Sequence, residues 1–507
     1  MFKVIKKINK IINFVDNKNF TKFWLINLFF LFNAFFQLLF IFSFYLLVQS
    51  FSDPLKVSNN EILIFFVKIL GLDHDLITSN NFLILIFTMV VIFSNLIFIF
   101  SNLFKFNFSY DLLTNLRSKL YNYYLGQNFE QFIKKNNAEY LTIILSDCER
   151  FAMQIVGNFL NISLASISLF LILVPVFVIN FQVSLIVFLF LLTIFYLAGK
   201  NLKPLLNKLG EKIKTFSKNR YEIMNDSLRN FNEIKLENLR SFFEESYYAK
   251  ENEINKISKN LSIINHSSKP IIEILLILFF YLFFKFFLES SLIFTQYIDV
   301  AAVIIITLYK LLPSINSMYQ SINEINYHKV VINNLLINLK DSEIKNKFTN
   351  KDIIPQKINK IEFKDVSFSY NKEKSFSINK LNFVFKKNEI TGIDGVSGSG
   401  KTTILNILSG LLCPKSGKIF INTKKINIFN NSHWFKKISY VSQNVNIFND
   451  TIHKNVSYNL GIKSKSNIKK TISILNSLNL KELSKRNKKL DELGKTISGG
   501  QLQRIAI

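Results

Sequence analysis

Gly395-Val396-Ser397-Gly398-Ser399-Gly400-Lys401-Thr402 has the spacing G-x-x-x-x-G-K-[ST]. These residue types suit a polyphosphate. Glycines lack a Cβ, so successive backbone N–H groups can converge on phosphate oxygens, and a helix starting here aims its positive end at them. Lys401 adds a full charge, the Thr402 hydroxyl suits Mg²⁺, and Thr403 follows on the same helix. A Gly-rich turn can match such a pattern by chance. Here an apolar stretch, Ile390–Ile393, leads in as a strand would, and a helical pattern over Thr402–Leu411 follows. About a hundred residues on, Ile497-Ser498-Gly499-Gly500-Gln501-Leu502-Gln503-Arg504 opens a second helix on backbone N–H groups free to meet an anion. Alone, that stretch reads as a helix cap with a flexible entry; behind a phosphate loop it reads as a second anion site.

The elements that must carry these loops divide the chain in two. Hydrophobic residues make up 49% of 507, and the mean hydropathy is +0.24. The apolar excess is gathered into runs of the length a bilayer core demands, roughly 20 residues of helix. The expected spans are 23–51, 82–104, 159–178, 183–198, 271–288 and 292–312. Lys3, Lys6, Lys7, Lys10, Lys18 and Lys22 precede the first span. Gly199–Lys269 and the region after Lys310 are also rich in Lys and Arg, whereas the segments expected outside are not. That asymmetry places both termini in the cytosol. Glu61–Leu72 has helical apolar spacing but reaches only about half of a ~30 Å core, so it is expected to lie at the outer interface. The net charge of +27 is mostly lysine spread along polar segments, which argues against a nucleic-acid partner. Cys148 and Cys413 have neither disulfide nor zinc spacing. Asp341–Lys360 reads as a linker. Alternating strands follow at Ile361–Tyr370 and Leu381–Phe385, so a soluble α/β domain begins near Asn359. The domain boundaries are therefore 1–340, 341–358 and 359–507.

With these parts in place the chain resembles the ABC transporter family, exporter type. The resemblance rests on the phosphate loop and on Ile497-Ser498-Gly499-Gly500-Gln501, close to that family's L-S-G-G-Q signature. It implies an all-α six-helix transmembrane domain followed by an α/β P-loop nucleotide-binding domain. It further implies a dimer of half-transporters in the bacterial inner membrane, with each ATP between one copy's loop and the other's signature. Tyr370 then matches the aromatic residue that stacks on adenine, Gln443 a glutamine that contacts Mg²⁺ beside Thr402, and Glu492 an acidic loop that touches coupling helices. The coupling helices themselves match Leu125–Lys134 and Asp226–Lys235.

No apolar strand ending in Asp-Glu appears after Gln501, and no switch His. The nucleotide-binding domain therefore reads as incomplete at its C-terminus, with apolar sheet surface left uncovered and no catalytic residue among the 507. The parent protein would couple ATP hydrolysis to export; the alternative is a non-transporting or decayed nucleotide-binding membrane protein. Among subfamilies the membrane half most resembles flippases for lipid-linked oligosaccharides in bacterial protein glycosylation, on Leu308–Ser314, Tyr327-His328 and the short outer helix. Peptide, lipid and drug exporters share the architecture. For an anionic lipid-linked head, Lys310 beside Pro313 is the expected cation, with snorkelling to the interface as its alternative. Phe65 and Phe66 are the expected apolar surface for the tail.

Overall fold

A computed structural model describes residues 2–15, 18–52, 57, 79–179, 181–288, 298–345, 352–370, 377–443, 445, 447–448, 450–457, 465–484 and 497–506. The chain divides into two compact units, Met1–Gln127 with Gln131–Lys347 and Asn128–Glu130 with Phe348–Ile507.

The first unit is helical. It contains α1 (Phe2–Val15), α2 (Lys18–Ser52), α3 (Asn80–Leu125), α4 (Phe129–Phe132, shared with the second unit), α5 (Asn137–Leu141), α6 (Asn158–Ile179), α7 (Phe181–Arg229), α8 (Phe231–Leu236), α9 (Arg240–Leu288) and α10 (Ile298–Lys345). The apolar stretches expected to span a membrane fall on α2, α3, α6, α7, α9 and α10, although residues 292–297 of the last lie outside the described residues. Among the described residues, three stretches are long and apolar enough to cross a bilayer: Thr21–Phe51, Asn80–Leu125 and Asn137–Val174. Their outer faces carry exposed Leu25, Leu28, Phe32, Phe93, Phe100 and Leu103, an arrangement that suits lipid and would be costly in water. The outer helix expected at 61–72, with Phe65 and Phe66, lies outside the described residues.

Three features go beyond the sequence reading. The Lys-rich amino terminus forms an amphipathic helix. Ile8, Ile11, Ile12 and Val15 of α1 are buried in one cluster with Leu112, Leu116 and Leu120 of α3 and Leu335 and Leu339 of α10. Each such side chain contributes roughly 1.5–3 kcal/mol when fully buried, enough to hold a short helix that would be marginal by itself. Next, the polar stretch 105–158 holds more than the polar end of α3. After α5 the backbone widens into two π-helical segments, Thr142–Asp147 and Arg150–Gly157. Buried Ile143, Cys148, Ala152, Val156 and Leu160 recur every four to five residues, and the wider turn keeps them on one face. Last, α10 runs to Lys345, five residues into the expected linker. The two expected coupling segments hold the short helix α4 and all of α8 but its last residue, Leu236.

The second unit holds a four-stranded sheet of β1 (Lys360–Ser369), β2 (Ser377–Lys386), β3 (Ser416–Ile421) and β4 (Lys424–Lys425), in the order β2-β1-β3-β4. Every pairing is antiparallel. Phe363, Val366 and Phe368 of β1 point into a core with Ile419, Ile421 and Trp434, and Phe129 packs against the same cluster. The helices are α11 (Lys401–Leu408), α12 (Ser432–Phe435), α13 (Ile452–Ser457), α14 (Lys465–Ser477), α15 (Lys481–Ser484) and α16 (Gly499–Ala506). The strand expected at Ile390–Ile393 is not formed, and Ile390 is fully exposed. A strand persists only where a neighbour accepts its backbone hydrogen bonds, and no described strand lies alongside this one.

Candidate functional site

The phosphate loop is built by backbone conformation. Gly395, Gly398 and Gly400 have φ of 152°, 82° and 97°, values that side chains with a Cβ rarely adopt. Gly400 is the N-cap of α11 in the left-handed region. The loop closes through Ser399 N–H donating to the Val396 carbonyl at 3.1 Å, and Ile404 N–H donates to the Gly400 carbonyl at 2.9 Å. Helix α11 therefore begins at Lys401, one residue earlier than the sequence pattern suggests. It ends at Leu408, where Leu411 and Leu412 N–H turn back onto the Asn406 carbonyl.

Lys401 folds over its own loop. Its Nζ donates to the Gly395 carbonyl and, at 3.0 Å, to the Val396 carbonyl. Those contacts hold the ammonium at the mouth of the loop, where a phosphate oxygen could take it over. Val396, Ser397, Ser399 and Thr402 are exposed, and Thr403 is buried under them. Tyr370, which follows β1, has its hydroxyl 3.4 Å from Thr403 Oγ1. Its ring lies edge-on to Phe368, centroids 4.9 Å apart, and the residue remains 40% exposed. The sequence reading passed over two groups here. The Asp394 carboxylate accepts the Gly395 N–H at 2.7 Å, and its sequence signal was an acid directly before the first loop glycine. Tyr440 reaches Asn406 Oδ1 at 3.4 Å. The loop fits an anion in its glycine conformations and in the ammonium held at its mouth. The exposed hydroxyl of Thr402 and the exposed amide of Gln443 are oxygen donors of the kind Mg²⁺ takes.

The second anion motif is a capping box. Ser498 N–H donates to Gln501 Oε1 at 2.9 Å, and Gln501 N–H donates to Ser498 Oγ at 3.3 Å. This reciprocal pair fixes the start of α16. Ile497 is buried with Leu475, Leu480, Leu483 and Ile505, so an apolar residue anchors the turn while Gly499 and Gly500 face open space. Arg504 braces the helix by donating to the Leu478 carbonyl at 3.1 Å. Glu492 lies outside the described residues.

In the helical unit, α10 continues through Pro313. Lys310 is half-buried, with Nζ 4.1 Å from the Phe40 ring centroid. A second cation was not foreseen. Lys105 is 8% exposed, and its Nζ donates to Asn102 Oδ1 at 2.7 Å and Asn161 Oδ1 at 2.8 Å. Its sequence signal was a single Lys directly after an uncharged run. Both cysteines are free, and burial pushes the Cys413 thiol above its ordinary value.

Residues 378–507 match the family model described as ABC transporter. An export ATP-binding/permease protein of Rickettsia typhi is 27% identical over 466 residues, covering 86% of this chain and 76% of that protein. A multidrug resistance-like ATP-binding protein of Buchnera aphidicola is 26% identical over 456 residues, covering 84% and 73%. An ATP-dependent lipid A-core flippase of Vibrio vulnificus is 32% identical over 152 residues, covering 29% and 26%. The first two similarities are too long to be confined to the nucleotide-binding part.

Proposed function

We propose that the chain is the combined ATP-binding and membrane subunit of an ABC exporter, working as a dimer in the inner membrane with both termini cytosolic. The observation that carries this reading is the loop at 395–402. Its glycines hold positive φ, Gly400 caps α11, and its lysine waits on loop carbonyls. In this reading Lys401 and the loop N–H groups hold the β- and γ-phosphates, and Tyr370 stacks on the base. Thr402 and Gln443 would hold Mg²⁺, whose part is to neutralise phosphate charge during hydrolysis. Ser498, Gly499 and Gly500 would meet the nucleotide of the partner copy. In this reading α2, α3, α6, α7, α9 and α10 are the six crossings, and α4 and α8 are the coupling helices.

For the substrate we favour an amphiphile with an anionic head, a lipid-linked glycan on phosphate being the leading candidate. The flippase named above supports a lipidic class. Lys310 makes no ion pair with a described residue and rests on an aromatic face, a contact worth about 0.5–2 kcal/mol that an anion could replace. Phe65 and Phe66 remain the proposed surface for the tail. The test is ATP-dependent flipping of a labelled lipid-linked oligosaccharide in proteoliposomes. Lys401→Ala should abolish flipping and weaken nucleotide binding, while Lys310→Ala should slow flipping and leave nucleotide binding intact. Transport of peptides or drugs alone would remove the substrate assignment without touching the exporter reading.

A further inference from the structure

The exposed side of α1 borders a cavity of about 530 Å³ that none of the roles above uses. Lys6 and Lys10 line it from successive turns of α1, as do Asn9 and Asn13. Its apolar part is Phe14 with Leu336 and Leu339 of α10. Lysines four apart on a helix face each other and repel. Lys7, between them, donates to Asn333 Oδ1 at 2.8 Å. By contrast, Lys6 and Lys10 form no ion pair or hydrogen bond with a described residue. The cavity therefore combines two ammonium groups that have no ion-pair partner among the described residues, two amides and an apolar floor, within the roughly 300–1,000 Å³ that small-ligand sites occupy.

We propose that this cavity binds a small soluble organic phosphate, a phosphate monoester carrying an apolar or aromatic group. The charge count selects the head. A phosphate monoester offers about −1.5 to −2 charge and three acceptor oxygens, enough for both lysines, whereas a carboxylate would leave one lysine unmatched. Depth selects a soluble ligand over a bilayer headgroup. The Phe14 carbonyl accepts from Lys119 Nζ, and Lys119 lies about 12 Å along α3 from Asp111, the partner of Lys22 at the start of the first expected span, at 1.5 Å per residue. The headgroup layer adds only about 5–7 Å beyond the hydrocarbon core.

Amine footprinting of the full chain in nanodiscs tests the site directly, because it reads each lysine separately and so distinguishes this cavity from Lys401 in the phosphate loop. Phenyl phosphate should slow acetylation of Lys6 and Lys10 and leave exposed Lys212 unchanged. Phenylacetate and benzyl alcohol should protect far less. In calorimetry on a Lys401→Ala background, Lys6→Gln/Lys10→Gln should weaken phenyl phosphate binding about tenfold or more, as loss of charge-assisted contacts implies. Lys7→Gln in the same background should not weaken it. Unchanged acetylation rates with phenyl phosphate would overturn the proposal. Equal protection by phenylacetate would remove the phosphate assignment. Protection by phosphatidic acid in the nanodisc, with none from the soluble ester, would remove the soluble one.

Discussion

At the scale of single residues, the phosphate loop shows how far side-chain type and backbone freedom determine a site together. Lys401 is held by two loop carbonyls, so removing it deletes a charge that the loop has already positioned. Lys401→Ala should weaken ATP binding by about 1.5–3 kcal/mol, the range for hydrogen bonds to charged groups, in a fluorescent-nucleotide titration. Tyr370→Ala should cost about 1–3 kcal/mol by analogy with base stacking on aromatic side chains. An unchanged affinity in either variant would remove that residue from the site. Cys413 supplies a pH-dependent signal. Burial raises its pKa, so the folded chain disfavours the thiolate. Its alkylation by iodoacetamide at pH 8 should be slower than that of free cysteine and should speed up on unfolding. With the folded value above the unfolded one, this group contributes stability below about pH 8.5 and loses it as pH rises further. Spacing alone identified Lys401, Thr402 and the glycines. It missed Asp394 and Lys105, because a carboxylate accepting one N–H and a lysine shared between two amides have no sequence period.

At the scale of elements, packing decided several matters that periodicity left open. Where α7 passes α10, a Cβ on Gly210 would lie 1.9 Å from the Tyr327 carbonyl oxygen. The two helix backbones are therefore in contact, with no room for a methyl group. Gly210→Ala should cost about 1–3 kcal/mol of stability as overpacking does, read as a lower thermal midpoint. Gly499→Ala, which meets nothing within 4 Å, is the matched control. Asn431 is fully buried. Its Oδ1 accepts from His433 and Trp434 N–H, and its Nδ2 donates to the Asp352 carbonyl at 2.9 Å. Asn431→Ala should destabilise the second unit by about 1–3 kcal/mol through the lost cap and the stranded donors. Retention of the wild-type midpoint would contradict the cap's importance. The π-helical turns at 142–157 belong to the same lesson. Their sequence looks like ordinary amphipathic helix, and only the core they face calls for a wider turn.

For the whole molecule, the expected consequence is topology. From apolar length and the Lys/Arg asymmetry, the start of α3 is expected outside and α8 inside. A cysteine at Asn80 should react with an impermeant maleimide in intact cells, and one at Asn232 should react only after permeabilisation. The same experiment with a cysteine at Asn59 checks the first outer segment. Labelling at Asn232 from outside would reverse the orientation.

The sequence by itself determined the apolar helices, the places of strands β1 and β2, the glycine loop at 395–402 and the helix start at 498–501. Each of these is written in local periodicity or in glycine spacing, which neighbouring elements do not alter. Tertiary structure decided what those elements do with their remaining surfaces. It seated the Lys-rich amino terminus as α1 against α3 and α10, because only a formed bundle offers Ile8, Ile11 and Ile12 a core to enter. It carried α10 five residues past the apparent linker boundary. It left Ile390–Ile393 without a ladder, because a strand depends on a neighbour that a local pattern cannot supply.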